Sequence, residues 1–497
     1  MEIEASGPCS RKRKFAGLGS LEAGAAPEGP TAGDQDQEPP PPPLPGAEGG
    51  GSDRISDLPD AVLGEIISLL PTKEGARTQV LASRWRRLWR SAPLNLHCTP
   101  YLFHKDALDA IISRILAVHQ GPGRRFCAPV YHLHGDRADA WLRSPALDNL
   151  QELELCSYTY NLPFPPATPQ PLPAAAFCFS DTLRVATIGQ CHLADSTVQA
   201  LHFPKLQKLA LKMVSISESS LHALIAACPT MECLMIHNST GFTCVRINSS
   251  SLRSIGVRGY NKFRELVIEN APSLKCLLQL GFCGFLTISV ISAPKMETLG
   301  YLSSGSSSRL VFDSTVIQGF KVDSFTTTVC TVKILAVEMD ALSLDAVIDL
   351  MRCFPCLEKL YIQSSGPGKP NLWRRKHQNL IRSLDICLKT VVWRYYRGIK
   401  SHVDFATFFL LNARVLELMT FEVLDKDYNE AFFAQQREML QVDSRASRGA
   451  RLCFTSYWSW SYYKMLDSSV HDLDLADPFE RSHPLKADTS FVLCGTY

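Results

Sequence analysis

No apolar run in this sequence approaches the ~20 residues that cross a bilayer. The longest candidate, residues 285–291, is the size of a strand. Charge of one sign is equally scarce. Lys and Arg total 51 against 49 Asp and Glu, a formal net charge of +2, which argues against the basic face of a dedicated nucleic-acid binder. The first residues carry Glu2 and Glu4 and no apolar stretch, so no secretory leader is expected. Cysteine is plentiful at 17, but a disulfide framework is not implied. Many of these residues, Cys228, Cys233 and Cys276 among them, sit inside apolar patterns and read as buried reduced thiols. Catalytic signatures are missing too: no G-x-x-x-x-G-K-[ST], G-x-S-x-G or H-E-x-x-H occurs. Cys353 and Cys356 form a lone C-x-x-C with no second ligand pair, which argues against a zinc site and with it a RING domain. The 13 histidines show no ligand spacing. Pro370 spoils Gly366-Pro367-Gly368-Lys369 as a phosphate loop, because a proline donates no N–H, so that stretch is a surface turn. No enzyme, cofactor or metal is expected.

What is present changes along the chain. Residues 1–52 are rich in Gly, Pro, Ala and acids, and cannot bury enough apolar surface to offset their conformational entropy, so they read as disordered. Arg11, Lys12, Arg13 and Lys14 suit either a nuclear import signal or a solvated charge run. Between 53 and 98 the pattern becomes helical. Leu58, Val62, Ile66 and Leu70 recur at i, i+4 spacing with Leu63 and Ile67 beside them. Asp57 is placed to cap this helix, Pro59 suits its first turn and Pro71 ends it. Thr72 can cap a second helix carrying Ala76, Val80 and Leu81, and a third holds Trp85, Leu88 and Trp89 among arginines. Gly75 should weaken the second helix by roughly 1 kcal/mol relative to Ala. So small a module cannot hide this many large apolar residues. The surplus packs on the next domain or waits for a partner.

The order Leu58-Pro59, then Leu69-Leu70-Pro71-Thr72-Lys73, Val80-Leu81 and Arg84-Trp85-Arg86-Arg87-Leu88-Trp89 resembles an F-box. The departures, at Gly75–Ala76 and Ala82–Ser83, leave its apolar positions intact. That resemblance implies binding to a Skp adaptor, which docks on a cullin and a RING protein. The residues it implicates are Leu58, Pro59, Val62, Leu63, Ile66, Leu69, Leu70, Val80, Arg84, Trp85, Leu88 and Trp89. They are divided between a small core and the adaptor surface, with Leu58 and Pro59 at the partner.

From about 145 to 362 the chain repeats the unit Leu-x-x-Leu-x-Leu, with Met, Ile, Val or Tyr allowed. Copies start at Leu150, Leu183, Leu206, Met231, Leu252, Leu274, Met296 and Leu357, the one at 296 running Met296-x-x-Leu299-x-Tyr301. A degenerate copy is expected near Val332-x-x-Leu335. Steps of 21 to 25 residues between 206 and 296 lie in the leucine-rich-repeat range. Eight or so parallel strands at ~4.8 Å would span roughly 40 Å. Their returns should be helical before Pro229 and Pro355 or irregular elsewhere, with an exposed Pro-rich insert at 163–173.

Further on, Tyr396-Arg397-Gly398, Asp404-Phe405-Ala406, Leu411-Asn412-Ala413-Arg414-Val415-Leu416-Glu417 and Arg445-Ala446-Ser447-Arg448 resemble the FBD domain of plant F-box proteins. Phe405, Phe408, Phe409 and Leu416 make an apolar helical face with a strand after it, suited to capping an open solenoid. Trp458, Trp460 and Tyr462 alternate as on a strand, either packing or lining a ligand surface. The expected fold is therefore α/β: a three-helix F-box (53–98), a leucine-rich-repeat solenoid (99–380), an FBD region (381–455) and a C-terminal extension (456–497). The expected role is a non-catalytic receptor of a ubiquitin ligase in the nucleus or cytoplasm. It would bind a Skp adaptor at one end and an unknown target protein on the concave repeat face, with no membrane or nucleic-acid partner. A scaffold or transcription regulator that retains an F-box is the alternative.

Overall fold

The structure is a computed structural model. It describes Ile55 and residues 57–98, 105–129, 136–156, 170–259, 262–281, 285–305, 309–312, 314–322, 328–364, 366, 386–457 and 469–480. The expectations for residues 1–52, for Trp458, Trp460 and Tyr462, and for the 163–169 part of the Pro-rich insert lie outside the described residues. The chain divides into two compact units after Asp57, and every described helix and strand belongs to the second, residues 58–497. No described helix is long and apolar enough to cross a membrane.

Three short helices come first: α1 (Asp60–Leu69), α2 (Thr72–Arg77) and α3 (Ser83–Ser91). Asp57 is not the cap of α1. Pro59 occupies the cap position, and its carbonyl accepts the first helical bond from the Leu63 amide at 3.1 Å. Thr72 begins α2 and caps nothing. Its hydroxyl donates to the Asn95 carbonyl at 2.9 Å and accepts from the His97 amide at 2.8 Å. Val80 closes a 3-10 turn, Thr78–Val80, outside the second helix. At Gly75 a Cβ would lie 2.8 Å from the Trp89 ring, so the missing side chain makes room for an aromatic.

The rest is built on one fourteen-stranded parallel sheet whose spatial order is the chain order. Its strands are β1 (Leu94–His97), β2 (Gly123–Ala128), β3 (Glu152–Leu155), β4 (Val185–Gly189), β5 (Lys208–Lys212), β6 (Cys233–His237) and β7 (Ser254–Arg258). They continue as β8 (Cys276–Gln279), β9 (Thr298–Ser303), β10 (Ile334–Glu338), β11 (Lys359–Gln363), β12 (Thr390–Arg394), β13 (Leu418–Leu424) and β14 (Arg451–Tyr457). The repeat motif explains the stacking. Leu206 precedes β5 while Leu209 and Leu211 alternate on one face of it, and all three are buried. The same holds for Met231, Leu234 and Ile236, and for the degenerate copy Val332 and Leu335. No rung can cover its own apolar face, so each is buried by the next in a single continuous core.

Four features depart from the sequence reading. The sheet has fourteen strands where about eight were expected, because rungs with weak Leu patterns extend it at both ends. In the copy at 296, Leu302 and not Tyr301 enters the core. The register shifts between Leu299 and Leu302, and Tyr301 turns to the opposite face. Between 244 and 322 the returns are neither helical nor irregular. They form a second sheet of six strands, four of them parallel and Val/Ile-rich. Helical returns do occur at Glu218–Ala226 and Leu344–Cys353, where the 3.6-residue period predicts them. Finally, the FBD region adds β12, β13 and β14 as further rungs of the same sheet. Phe405, Phe408 and Phe409 face the common core from the helix Lys400–Asn412, so this region extends the solenoid before it can close it.

Candidate functional site

Two surfaces of the second unit stand out. The first is the three-helix module. Leu63, Ile67, Trp85, Leu88 and Ala92 form its small buried core, with Leu58 and Trp89 packed against it. The opposite stripe of α1 is exposed: Val62 at 43%, Ile66 at 41% and Leu69 at 78%. Val80 at 83% and Leu81 at 64% add to it from the next turn. Of the twelve residues that the sequence singles out, Leu63, Trp85 and Leu88 are therefore interior, and Val62, Ile66, Leu69 and Val80 are surface. Pro59 is exposed, and Leu58, Leu70 and Trp89 are half-buried. Arg84 is half-buried and clamps the start of α1, its Nε donating to Asp60 Oδ1 and its Nη2 to the Leu58 carbonyl, each at 2.7 Å. Leu81 lies outside the set read from sequence, although its apolar neighbourhood in Val80-Leu81 was visible. Monomeric proteins seldom expose so large an apolar stripe on so small a module.

The module is fastened to the second rung, β2. Arg124 at the start of β2 donates to Ser68 Oγ at 2.8 Å and pairs with Glu65 at 2.9 Å. The Gln120 and Gly121 amides donate to the Arg90 carbonyl at 2.8 and 3.0 Å. Any Cβ on residue 121 would fall 2.2 Å from the Ala92 carbonyl oxygen, so only glycine lets the chain pass this close to the end of α3.

The second surface is the open face of the sheet, opposite the core. Alternate strand residues line it, including Val185, Ala210, Met235, Leu278, Tyr301 and Tyr361. A segment far along the chain, 469–480, lies on it and buries Val470, Leu473 and Phe479 there. No sequence pattern signals this contact, since periodicity identifies a strand's inward face but not what covers the outward one. On the first three rungs of the same face, His97, Cys127 and Glu154 come together across β1, β2 and β3, their ligand atoms within 4.8 Å of one another. Metal chemistry is disfavoured at that cluster. The Arg125 guanidinium bonds Glu154 at 2.8 Å and would stand beside a cation. Burial, with the Glu154 carboxylate adding to it, pushes the Cys127 thiol well up, so it stays protonated. Cys353 is buried in its helix while Cys356 is exposed, and every described cysteine is a free thiol.

Comparison with known proteins covers the same parts. Residues 55–97 match the F-box domain family, and 138–362 match the LRR repeats described for the FBD-associated F-box protein At5g56370. Residues 376–421 match the FBD family. The F-box/FBD/LRR-repeat protein At4g00160 of Arabidopsis thaliana is 26% identical over 455 residues, 82% of this chain and 96% of that protein. The F-box/FBD/LRR-repeat protein At3g26920 of the same plant is 25% identical over 421 residues, 75% of this chain and 90% of its own length. With the F-box/FBD/LRR-repeat protein At2g04230, also from that plant, the identity is 28% over 254 residues. That match spans 45% of this chain and about half, 52%, of the relative.

Proposed function

Because this chain is an F-box protein with leucine-rich repeats and an FBD region, of the kind found in plants, we propose that it serves as a substrate-recognition subunit of an SCF-type ubiquitin ligase. The F-box holds a Skp adaptor and, through it, a cullin and a RING protein. The repeats hold a target protein. The chain performs no chemistry of its own on this reading. It supplies proximity, keeping target and ubiquitin carrier together, in the nucleus or the cytoplasm. The observation that carries the reading is the exposed apolar stripe of Val62, Ile66 and Leu69, with Val80, on a module whose core is otherwise closed. Such residues stabilise an interface by ~1.5–3 kcal/mol each when fully buried, and a few anchors dominate.

The test is affinity for purified Skp adaptor. Changing Leu69 and Val80 together to Glu should weaken binding by about 30- to 1,000-fold, equivalent to ~2–4 kcal/mol. Circular dichroism melting should be unchanged, because neither side chain belongs to the core. A folded double variant that binds as well as wild type would remove the stripe from the interface. Failure of the wild type to bind any Skp adaptor, or to copurify with a cullin, would leave a scaffold and not a ligase subunit.

A further inference from the structure

Residues 469–480, Ser-Val-His-Asp-Leu-Asp-Leu-Ala-Asp-Pro-Phe-Glu, carry four acids and no lysine or arginine. The turn Val470–Asp474 rests against β5, β6 and β7. There Leu473 takes the space left by Gly256, where a Cβ would come within 2.9 Å of its Cδ2. Further along, Phe479 packs edge-on against Tyr301 and tilted against Tyr361, with ring centres 5.1 and 5.2 Å away. Basic groups meet the acids. Lys208 pairs with Asp474 at 2.9 Å, Lys359 with Asp477 at 2.9 Å and with Glu480 at 3.4 Å. The Tyr361 hydroxyl also donates to Asp477 at 2.9 Å, and Arg394 donates to the Phe479 carbonyl at 2.9 Å.

We propose that this open face is a binding groove for acidic peptide segments bearing an aliphatic anchor and, C-terminal to it, a phenylalanine, and that residues 469–480 are its resident, displaceable occupant. The target of the repeats would then be an acidic segment of this pattern that replaces the resident one. That step rests on the proposed receptor role, whereas the groove itself does not.

Three observations separate the segment from an ordinary piece of core. The solenoid's continuous core contains none of its residues. Val470, Leu473 and Phe479 belong to a second cluster on the other side of the sheet. Its amides bond within the segment. Asp472, Leu475 and Glu480 donate to the Ser469, Asp472 and Asp477 carbonyls. Ser469 and Asp472 form a reciprocal capping box. A segment pre-shaped in this way loses little entropy on docking, which is how a short peptide gains affinity. Finally, past Val470 it is buried at two points, Leu473 and the run 477–479, with exposed residues between and after them. Leu473 and Phe479 are buried while Asp474, Leu475, Ala476 and Glu480 face out, as in a ligand lying in a groove.

The test inserts a protease site between Tyr457 and Ser469 of the full chain and tracks a fluorescent synthetic peptide of residues 469–480. The intact chain should take up little peptide. After cleavage and removal of the freed fragment, affinity should rise at least about tenfold. It should fall back by a similar factor for a Phe479→Ala peptide or a Lys359→Glu chain, and a peptide with its acids replaced by lysine should not bind. Loss of the melting transition on cleavage would make the segment a structural part and overturn the proposal. So would a folded, cleaved chain that ignores the peptide, or an intact chain that binds it equally well. Asp477→Asn with Phe479→Ala in the uncleaved chain checks the same point without a cut, since loosening the resident segment should admit the wild-type peptide. The assay contains no adaptor. A chain that binds the peptide but no Skp adaptor sinks the ligase reading and leaves the groove standing, and the reverse result does the opposite.

Discussion

Val62 and Leu63 stand side by side in α1, and only one of them is buried. Both stripes of this helix are apolar, 62/66/69 on one side and 63/67 on the other, so period alone reveals a helix and two greasy faces but not which face meets the core. That is why the module was legible from its residues while the division of labour within its site was not. His237 is a residue no pattern would single out. It lies on the open face of β6, buried, with neither ring nitrogen bonded among the described residues. Burial, and after it the charges of Arg258 and Lys212, holds its imidazole down at about 3. The unfolded chain takes that proton near the ordinary value of ~6.5, but the folded chain does not until far lower. Its contribution is therefore intact above pH ~6.5 and is lost as pH falls from there toward 3. Between pH 7 and pH 5 the loss should be about 2 kcal/mol from this group. His119, His402 and His471, whose values burial also lowers, act in the same direction. Urea melts at the two pH values should show the fall, and His237→Gln, which takes no proton, should reduce it. An unaltered pH dependence in that variant would rule the residue out.

At the scale of elements, the rungs are matched by charge as well as by leucine. The residue just before each strand bonds backbone-to-backbone with its counterpart on the next rung. Glu297, Lys333, Glu358, Lys389 and Glu417 succeed one another in this way. Their side chains alternate in sign, with Lys333 reaching Glu297 at 3.3 Å and Lys389 reaching Glu358 at 2.8 Å. Each pair is exposed and individually weak. As a row, however, they penalise slippage by one rung, which would set like charge against like. The hydrogen bond from Lys389, partly opposed by burial, keeps the Glu358 carboxyl below the usual range, with Lys333 and Lys359 adding to it. Glu358→Lys should lower the melting midpoint by a few degrees at about 20 mM salt, and most of that difference should vanish near 0.5 M. A loss that ignores salt would mean packing, not charge, sets the register. The elements themselves were mostly readable. Where the reading failed, at Tyr301 and at the strand-type returns of 244–322, the cause is a register shift and a set of short Val/Ile runs. A fixed leucine template passes over both.

At the scale of the whole unit, the three-helix module is less separate than its family resemblance suggests. β1, which ends it, is the first rung of the sheet, paired with β2 from Leu94 to His97, and Leu94 and Leu96 are buried in the solenoid's core. A fragment of residues 53–98 should therefore be largely unfolded by far-UV circular dichroism, whereas one of residues 53–156, which keeps β2 and β3, should show cooperative helix melting. A sharp transition in the short fragment would establish it as an autonomous domain. Both parts were visible in the sequence but not this join, because a four-residue strand with two leucines has no distinguishing period. The join makes the three helices and the sheet of this unit one continuous stack. From β1 to β14 the rungs extend roughly 60 Å along the sheet at ~4.8 Å each, and α1 joins the first of them without a break in the packing. Length is then counted in rungs: adding or deleting one repeat would move the far end of the sheet by a single step and rotate it by the twist of one strand.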